Sequence, residues 1–268
     1  QKKLYTLEEG VYLVPRAPTD TWNLWHQSHI DPMFEQLIEN MIVFEGVDPN
    51  RVYITGYSAG GDGVYQLAPR MADRLAAAGM MAGHPNETKP EGLRNIGFAL
   101  HVGGNDAAYD RNEVGRQWKQ QLEDLQKTDP DGYAHQAVIH EGKGHWMDRQ
   151  ETMAFPWMAQ FTRNPYPKRV VWVQDDVVHD RFYWLGVDSP TPRTKIVASI
   201  DDQTVRIHEA DDVEEITVYL HDAMLDLDQH ITIIHGDRVL RSRVYRDADV
   251  ITSTLRDPSD FFTASVTF

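Results

Sequence analysis

Two periodicities divide the chain. Up to about Pro165, apolar segments alternate between helical and strand-like spacing. Val11-Tyr12-Leu13-Val14 reads as a short strand ended by Pro15 and Pro18. Asp31-Pro32 reads as a helix cap with proline in the first turn, and Phe34, Leu37, Ile38, Met41 and Ile42 form one apolar face that Gly46 terminates. Val52 to Thr55 is a short buried strand, and a helix is predicted from about Gly63 to Met71. Further strands are predicted at Ala77 to Ala82, Ile96 to Val102 and Gln136 to Ile139, with an amphipathic helix through Val114, Trp118, Leu122 and Leu125. Strands and helices alternating in this way imply a mainly parallel α/β sheet.

After Pro165 the pattern becomes period two: Val205/Ile207, Ile216/Val218/Leu220 and Ile231/Ile233 alternate with polar residues. His235-Gly236-Asp237-Arg238 is a hairpin connection. The expectation is an α/β unit over residues 1–163 and an antiparallel, sandwich-like β-rich domain over 168–268, joined by a linker from Arg163 to Pro167.

Composition narrows the chemistry. The chain has 268 residues, 41% hydrophobic and 25% charged, and can bury a core without disulfides. With no cysteine, a thiol nucleophile, a zinc-thiolate site and a disulfide framework are excluded. A formal net charge of -15 argues against nucleic acid and anionic membrane surfaces as partners. No apolar run approaches the roughly 18 residues of a membrane helix.

Gly56-Tyr57-Ser58-Ala59-Gly60 matches G-x-S-x-G, in which a strand turns sharply into a helix and leaves a serine hydroxyl exposed. The predicted strand before it and helix after it supply the required context. The chain order Ser, Asp, His continues with Asp106, just beyond the strand ending at Val102, and His145, on the glycine-flexed loop after the next strand. In such a set His145 takes the Ser58 proton, Asp106 fixes the ring tautomer and stabilises the imidazolium, and the backbone N–H groups at the start of the helix beyond the serine face the oxyanion. Asp110 and Asp148 compete with Asp106 for the acid, and His140 reads as a packed or surface histidine.

His140-Glu141…His145 is one residue too long for H-E-x-x-H, and Gly142 and Gly144 disfavour the helix that motif needs, so no metal site is expected. Neither G-x-x-x-x-G-K-[ST] nor a strand-linked G-x-G-x-x-G is present. Trp22, Trp25, Tyr57, His84 and Trp146 are candidate pocket residues, against the plainer reading of the tryptophans as core or loop anchors.

From Val11 to Trp157 the sequence resembles bacterial α/β-hydrolase esterases of the polyhydroxybutyrate-depolymerase and feruloyl-esterase-like group. The shared stretches are Val14-Pro15-Arg16-Ala17-Pro18, Trp22-Asn23-Leu24-Trp25, Val52 to Gly61, Met80 to Pro85, Gly103-Gly104-Asn105-Asp106 and Gly142 to Trp146. The resemblance implies a serine esterase with the triad Ser58, Asp106 and His145, no cofactor, and an oxyanion hole that includes the Ala59 amide. The C-terminal part is similar to the β-rich accessory domain of some such esterases. The substrate expected is a small-molecule or carbohydrate-linked ester. A serine peptidase of prolyl-oligopeptidase type and a decayed hydrolase serving as a binding module are the alternatives. The family also carries earlier strands, one bearing a His-Gly-rich oxyanion loop, that Gln1 to Gly10 does not match. The expectation there is a complementing N-terminal segment or a homo-oligomeric partner.

Overall fold

The protein is described from a computed structural model covering residues 5–7 and 9–268; residues 1–4 and 8 of the predicted α/β unit lie outside the described residues. The first element is α1 (Ile30–Glu45), closed by Gly46 in the left-handed conformation, φ 67°. Val11 to Val14, predicted as a strand, forms none; Val11, Leu13 and Val14 are exposed. A strand needs a neighbouring strand to ladder with, and among the described residues no strand pairs with this proline-bounded segment. Asp31 is no cap either. His29 is the N-cap, and Asp31 lies inside the first turn, buried in an ion pair with Arg70 and hydrogen-bonded to His179.

Next come β1 (Tyr53–Tyr57), α2 (Ala59–Arg70), β2 (Ala77–Met81), β3 (Gly97–Gly103), α3 (Arg111–Thr128), β4 (His135–His140) and the short α4 (Ala154–Met158). The four strands form one parallel sheet in the order β1-β2-β3-β4. Its two faces are legible as residue parity. Ala78, Met80, Phe98, Leu100 and Val102 join Val64, Tyr65, Trp118 and Leu122 from α2 and α3. Ala77, Met81 and Ala99 point the other way, onto Met147, Ala154 and Met158. Helices on both faces explain why these strands are apolar throughout rather than alternating. Among the described residues β1 pairs on one side only, so the strand leading to Ser58 is an edge.

The β-rich half comprises β5 (Arg169–Val173), β6 (Arg181–Phe182), β7 (Leu185–Gly186), β8 (Lys195–Asp201), β9 (Thr204–Ala210), β10 (Thr217–Leu220), β11 (Ile231–His235), β12 (Arg238–Ser242), α5 (Ala248–Thr254) and β13 (Ala264–Thr267). Two sheets form, β13-β10-β7-β6 and β12-β11-β9-β8-β5. The pairing is antiparallel except for β9 and β11, which run parallel, a departure from the purely antiparallel expectation. The hairpin joining β11 to β12 turns on Gly236 and Asp237 as predicted.

The linker segment is not a free tether. Arg163 is buried and reaches Asp257 at 2.9 Å and Asp260 at 3.2 Å. Arg74 adds contacts to the same two aspartates, Arg181 to Asp260, and Arg256 to Asp73. Val170 and Trp172 belong to the same apolar cluster as Val64 and Phe98. Core and ion network therefore run through both halves.

Candidate active site

The turn between β1 and α2 is built by close approach. A β-carbon on Gly56 would stand 2.0 Å from the Gly60 carbonyl oxygen, and one on Gly61 would stand 2.6 Å from the Met81 carbonyl oxygen. A β-carbon on Gly60 would meet nothing, so the second glycine of the motif answers to no such contact. These contacts start α2 at Ala59 rather than at Gly63, overriding the weak helix propensity of Gly60, Gly61 and Gly63. They also hold Ser58 at φ 57° and ψ -122°, a conformation costly for any residue but glycine. The Ser58 amide donates to the Met81 carbonyl, which pins the strained residue to β2.

Asp106 and His145 arrive on two loops laced together at the ends of β3 and β4. The His140 carbonyl accepts from Gly104 N–H at 2.9 Å and from Lys143 N–H at 3.1 Å, and Asn105 N–H donates to the Lys143 carbonyl at 2.8 Å. Within this frame His145 Nδ1 lies 2.7 Å from Asp106 Oδ2, and His145 Nε2 lies 2.9 Å from Ser58 Oγ. A carboxylate only accepts, so Nδ1 carries the proton and Nε2 is free to accept from the serine hydroxyl. The Asp106 side chain is 2% exposed and that of His145 43%, so the carboxylate is buried while the ring reaches the surface. Ala59 opens α2; its amide is one of those that the helix's own hydrogen bonding leaves over, at the positive end of the helix.

The rival acids stand elsewhere. Asp110 is an exposed residue at the start of α3, and Asp148 pairs with Lys143 at 2.6 Å. His140 is buried: its Nε2 lies 3.0 Å from Nδ1 of His101, the rings stacked at 5.3 Å. Burial first, and the neighbouring His140 second, lower His101 to about 4.

Tyr57 braces His145. Its hydroxyl donates to the His145 carbonyl at 2.5 Å, its ring stands edge-on to the imidazole at 5.9 Å, and Trp146 lies 5.9 Å from the same ring. Burial pushes the Tyr57 hydroxyl up to about 12, so it remains a donor at any working pH. A cleft of about 420 Å³ opens beside α2, lined by Trp22, Asn23, Asp62, Gln66, Glu87 and Asp176 among others. Of the predicted pocket residues only Trp22 lines it. Trp25 instead packs on Phe34 and against Gly63, and Trp146 stays with Tyr57. His84 sits after β2, its amide donating to Asp62 and its Nδ1 accepting from the Asn86 amide.

Sequence reasoning missed Arg111, whose guanidinium lies 3.6 Å from Asp106 Oδ1, and the His101–His140 pair. The signal for Arg111 was an arginine at the start of a predicted helix five residues after the acid.

Glu87, Asp175 and Asp176 bring carboxylates together, and Arg193 engages two of the three.

No family model and no curated protein matches the sequence. Among solved structures the chain is similar to a thermostable esterase at 21% identity and TM-score 0.44, covering 53% of this chain and 39% of that one. It is similar to a carboxylesterase from Bacillus cereus at 16% identity and TM-score 0.39, covering 49% and 60%. A ferulic acid esterase aligns at 16% identity and TM-score 0.37, covering 49% and 59%. The chain thus spans less than two thirds of each of these structures. This chain itself has a parallel sheet with a strand–serine–helix turn, followed by a β-rich region.

Proposed function

We propose that the chain is a serine esterase that hydrolyses carboxylic esters through an acyl-enzyme. The observation that carries this reading is the hydrogen-bonded series Asp106–His145–Ser58 ending at a strained serine on a helix N-terminus. Ser58 Oγ attacks the ester carbonyl carbon as its proton passes to His145 Nε2. Asp106 stabilises the imidazolium, and the Ala59 amide faces the oxyanion. The tetrahedral adduct expels the alcohol, which takes the proton from His145. Water, deprotonated by the same ring, then attacks the acyl carbon and releases the acid, restoring Ser58.

The substrate proposed is a carbohydrate-linked or similarly polyhydroxylated ester. Support comes from the cleft one helical turn beyond Ser58, lined by the exposed Trp22 together with carboxylates and amides that match hydroxyl groups. The region 168–268 is proposed as an accessory domain that adds no catalytic group.

A fluorophosphonate probe tests the function. Covalent labelling of wild type at Ser58, absent in Ser58→Ala, with turnover of p-nitrophenyl acetate, is the expected result. A folded wild-type protein that neither labels nor turns over would mean a binding module instead.

A further inference from the structure

The two oxygens of Asp106 face different partners. Oδ2 meets His145 Nδ1, while Oδ1 faces the guanidinium of Arg111 at 3.6 Å. Among the described residues Asp106 is the only anion within ion-pair distance of Arg111, whose side chain is 11% exposed.

Arg111 occupies a position that local structure disfavours. It is the first residue of α3, where the positive end of the helix repels a cation. The two residues before it, Tyr109 and Asp110, both adopt the left-handed region, at φ 56° and 55°. Its Nε is buried without an acceptor. What holds it is the Tyr109 ring, 4.9 Å from the guanidinium carbon, a 3.3 Å hydrogen bond from Nη1 to the Ala108 carbonyl, and Asp106. An unfavourable helix position, strained backbone and an unsatisfied donor converge on a charge aimed at the acid behind His145.

We propose that Arg111 is a positioning residue for the Asp106–His145 pair. It holds the carboxylate with Oδ2 toward the ring. Its positive charge, on the far side of the carboxylate from the ring, also opposes the imidazolium that forms when His145 takes the proton. The proposal rests on the esterase reading.

The other charged or titratable groups around His145 already have partners. Lys143 pairs with Asp148, Glu141 with Arg116, Glu151 accepts from Tyr5, His140 lies against His101, and the Tyr57 hydroxyl donates to the His145 carbonyl. Arg111 is the cation that touches the acid itself.

The test compares Arg111→Met, Arg111→Gln and Arg111→Lys with wild type. Two readouts are taken: the acid limb of kcat/KM for p-nitrophenyl acetate, and the titration midpoint of the His145 ring by NMR, assigned with His145→Gln. In both neutral variants, limb and midpoint should move up by roughly half to one pH unit, the size of a single nearby charge in a partly screened site. Lysine should keep both near wild type. Two neutral replacements, one matching the stem's bulk and one its polarity, guard against a variant that fails to fold. An unchanged ring midpoint in a folded neutral variant would overturn the proposal, as would an equal shift in Arg111→Lys. Because the ring titration needs no turnover, an enzyme that fails to hydrolyse esters yet shows the shift would fail the esterase reading and leave the Arg111 assignment standing.

Discussion

Gly103 lies so close to Gly144 that a β-carbon on the first would stand 2.0 Å from the carbonyl oxygen of the second. Gly103 ends β3 three residues before Asp106, and Gly144 directly precedes His145. The contact sets how near the acid loop and the base loop come. Gly103→Ala should therefore push them apart. A displacement of about 1 Å at a catalytic pair costs on the order of 10²-fold in rate. The expected outcome is a loss of that order in kcat for p-nitrophenyl acetate. Gly142→Ala should lower Tm through its φ of 76° while sparing much of the rate, because its β-carbon would meet nothing. Equal kcat in Gly103→Ala and wild type would show that the loops do not depend on this approach.

Ser58 carries strain that glycine would release. At φ 57° a side chain costs about 1–3 kcal/mol, offset in glycine by about 0.5–1 kcal/mol of extra unfolded-state freedom. Ser58→Gly should raise Tm by a few degrees, while Ser58→Ala, which keeps a β-carbon in the same backbone state, should not. Both should lose about 10⁴-fold or more in kcat. Scanning calorimetry on the three proteins decides it; a Ser58→Gly protein less stable than Ser58→Ala would mean that the elbow is unstrained.

The local part of this site was legible because its signals are local. The motif around Ser58, a strand end before Asp106 and a glycine-rich loop before His145 can each be read within ten residues of chain. The alternation of short apolar strands with helical stripes made the parallel sheet readable for the same reason. What was hidden depends on partners distant in sequence. Val11 to Val14 has strand composition but, among the described residues, no strand pairs with it. Asp31 looks like a cap and is instead held by Arg70, 39 residues away. Trp25 looks like a pocket wall and is instead wedged on Gly63. The seven residues of α5 are too short for an apolar stripe, and only the Asp247 cap, which accepts from the Asp249 amide, marked its start.

The His101–His140 pair should make stability fall with acid. Burial holds His101 down to about 4 in the folded protein against 6.5 for a free ring, and His140 is lowered in the same direction, again by burial first. Between those limits the unfolded chain takes up protons that the folded chain refuses. Stability from His101 is therefore complete above about pH 6.5, is lost as pH falls toward 4, and changes no further below that. The slope approaches about 1.4 kcal/mol per pH unit for each such group. Urea denaturation from pH 7.5 to 4 should show it, and His101→Gln should flatten the curve. The same slope in variant and wild type would assign the acid sensitivity to other groups.

Arg163 bears on whether the two halves are separable. Its guanidinium is shared between Asp257 and Asp260 and also donates to the Asp73 carbonyl, joining the end of the α/β sheet region to the C-terminal segment. Removing one member of a buried charge cluster costs about 3–5 kcal/mol, because the partners remain buried without compensation. Arg163→Ala should therefore lose several kcal/mol in urea denaturation. The shared cluster of Val64, Phe98, Val170 and Trp172 adds a second expectation. Unfolding should occur in a single transition, seen at the same midpoint by tryptophan fluorescence and by far-ultraviolet circular dichroism. Ending the chain after Arg163 would expose the α/β face that Val170 and Trp172 cover, and would remove Asp257 and Asp260 from Arg74 and Arg163 together. Such a fragment should not fold. A soluble, cooperatively folding 1–163 fragment, or two separated transitions in the full chain, would show that the β-rich half is an independent appendage and that the ion network contributes nothing to holding the α/β sheet together.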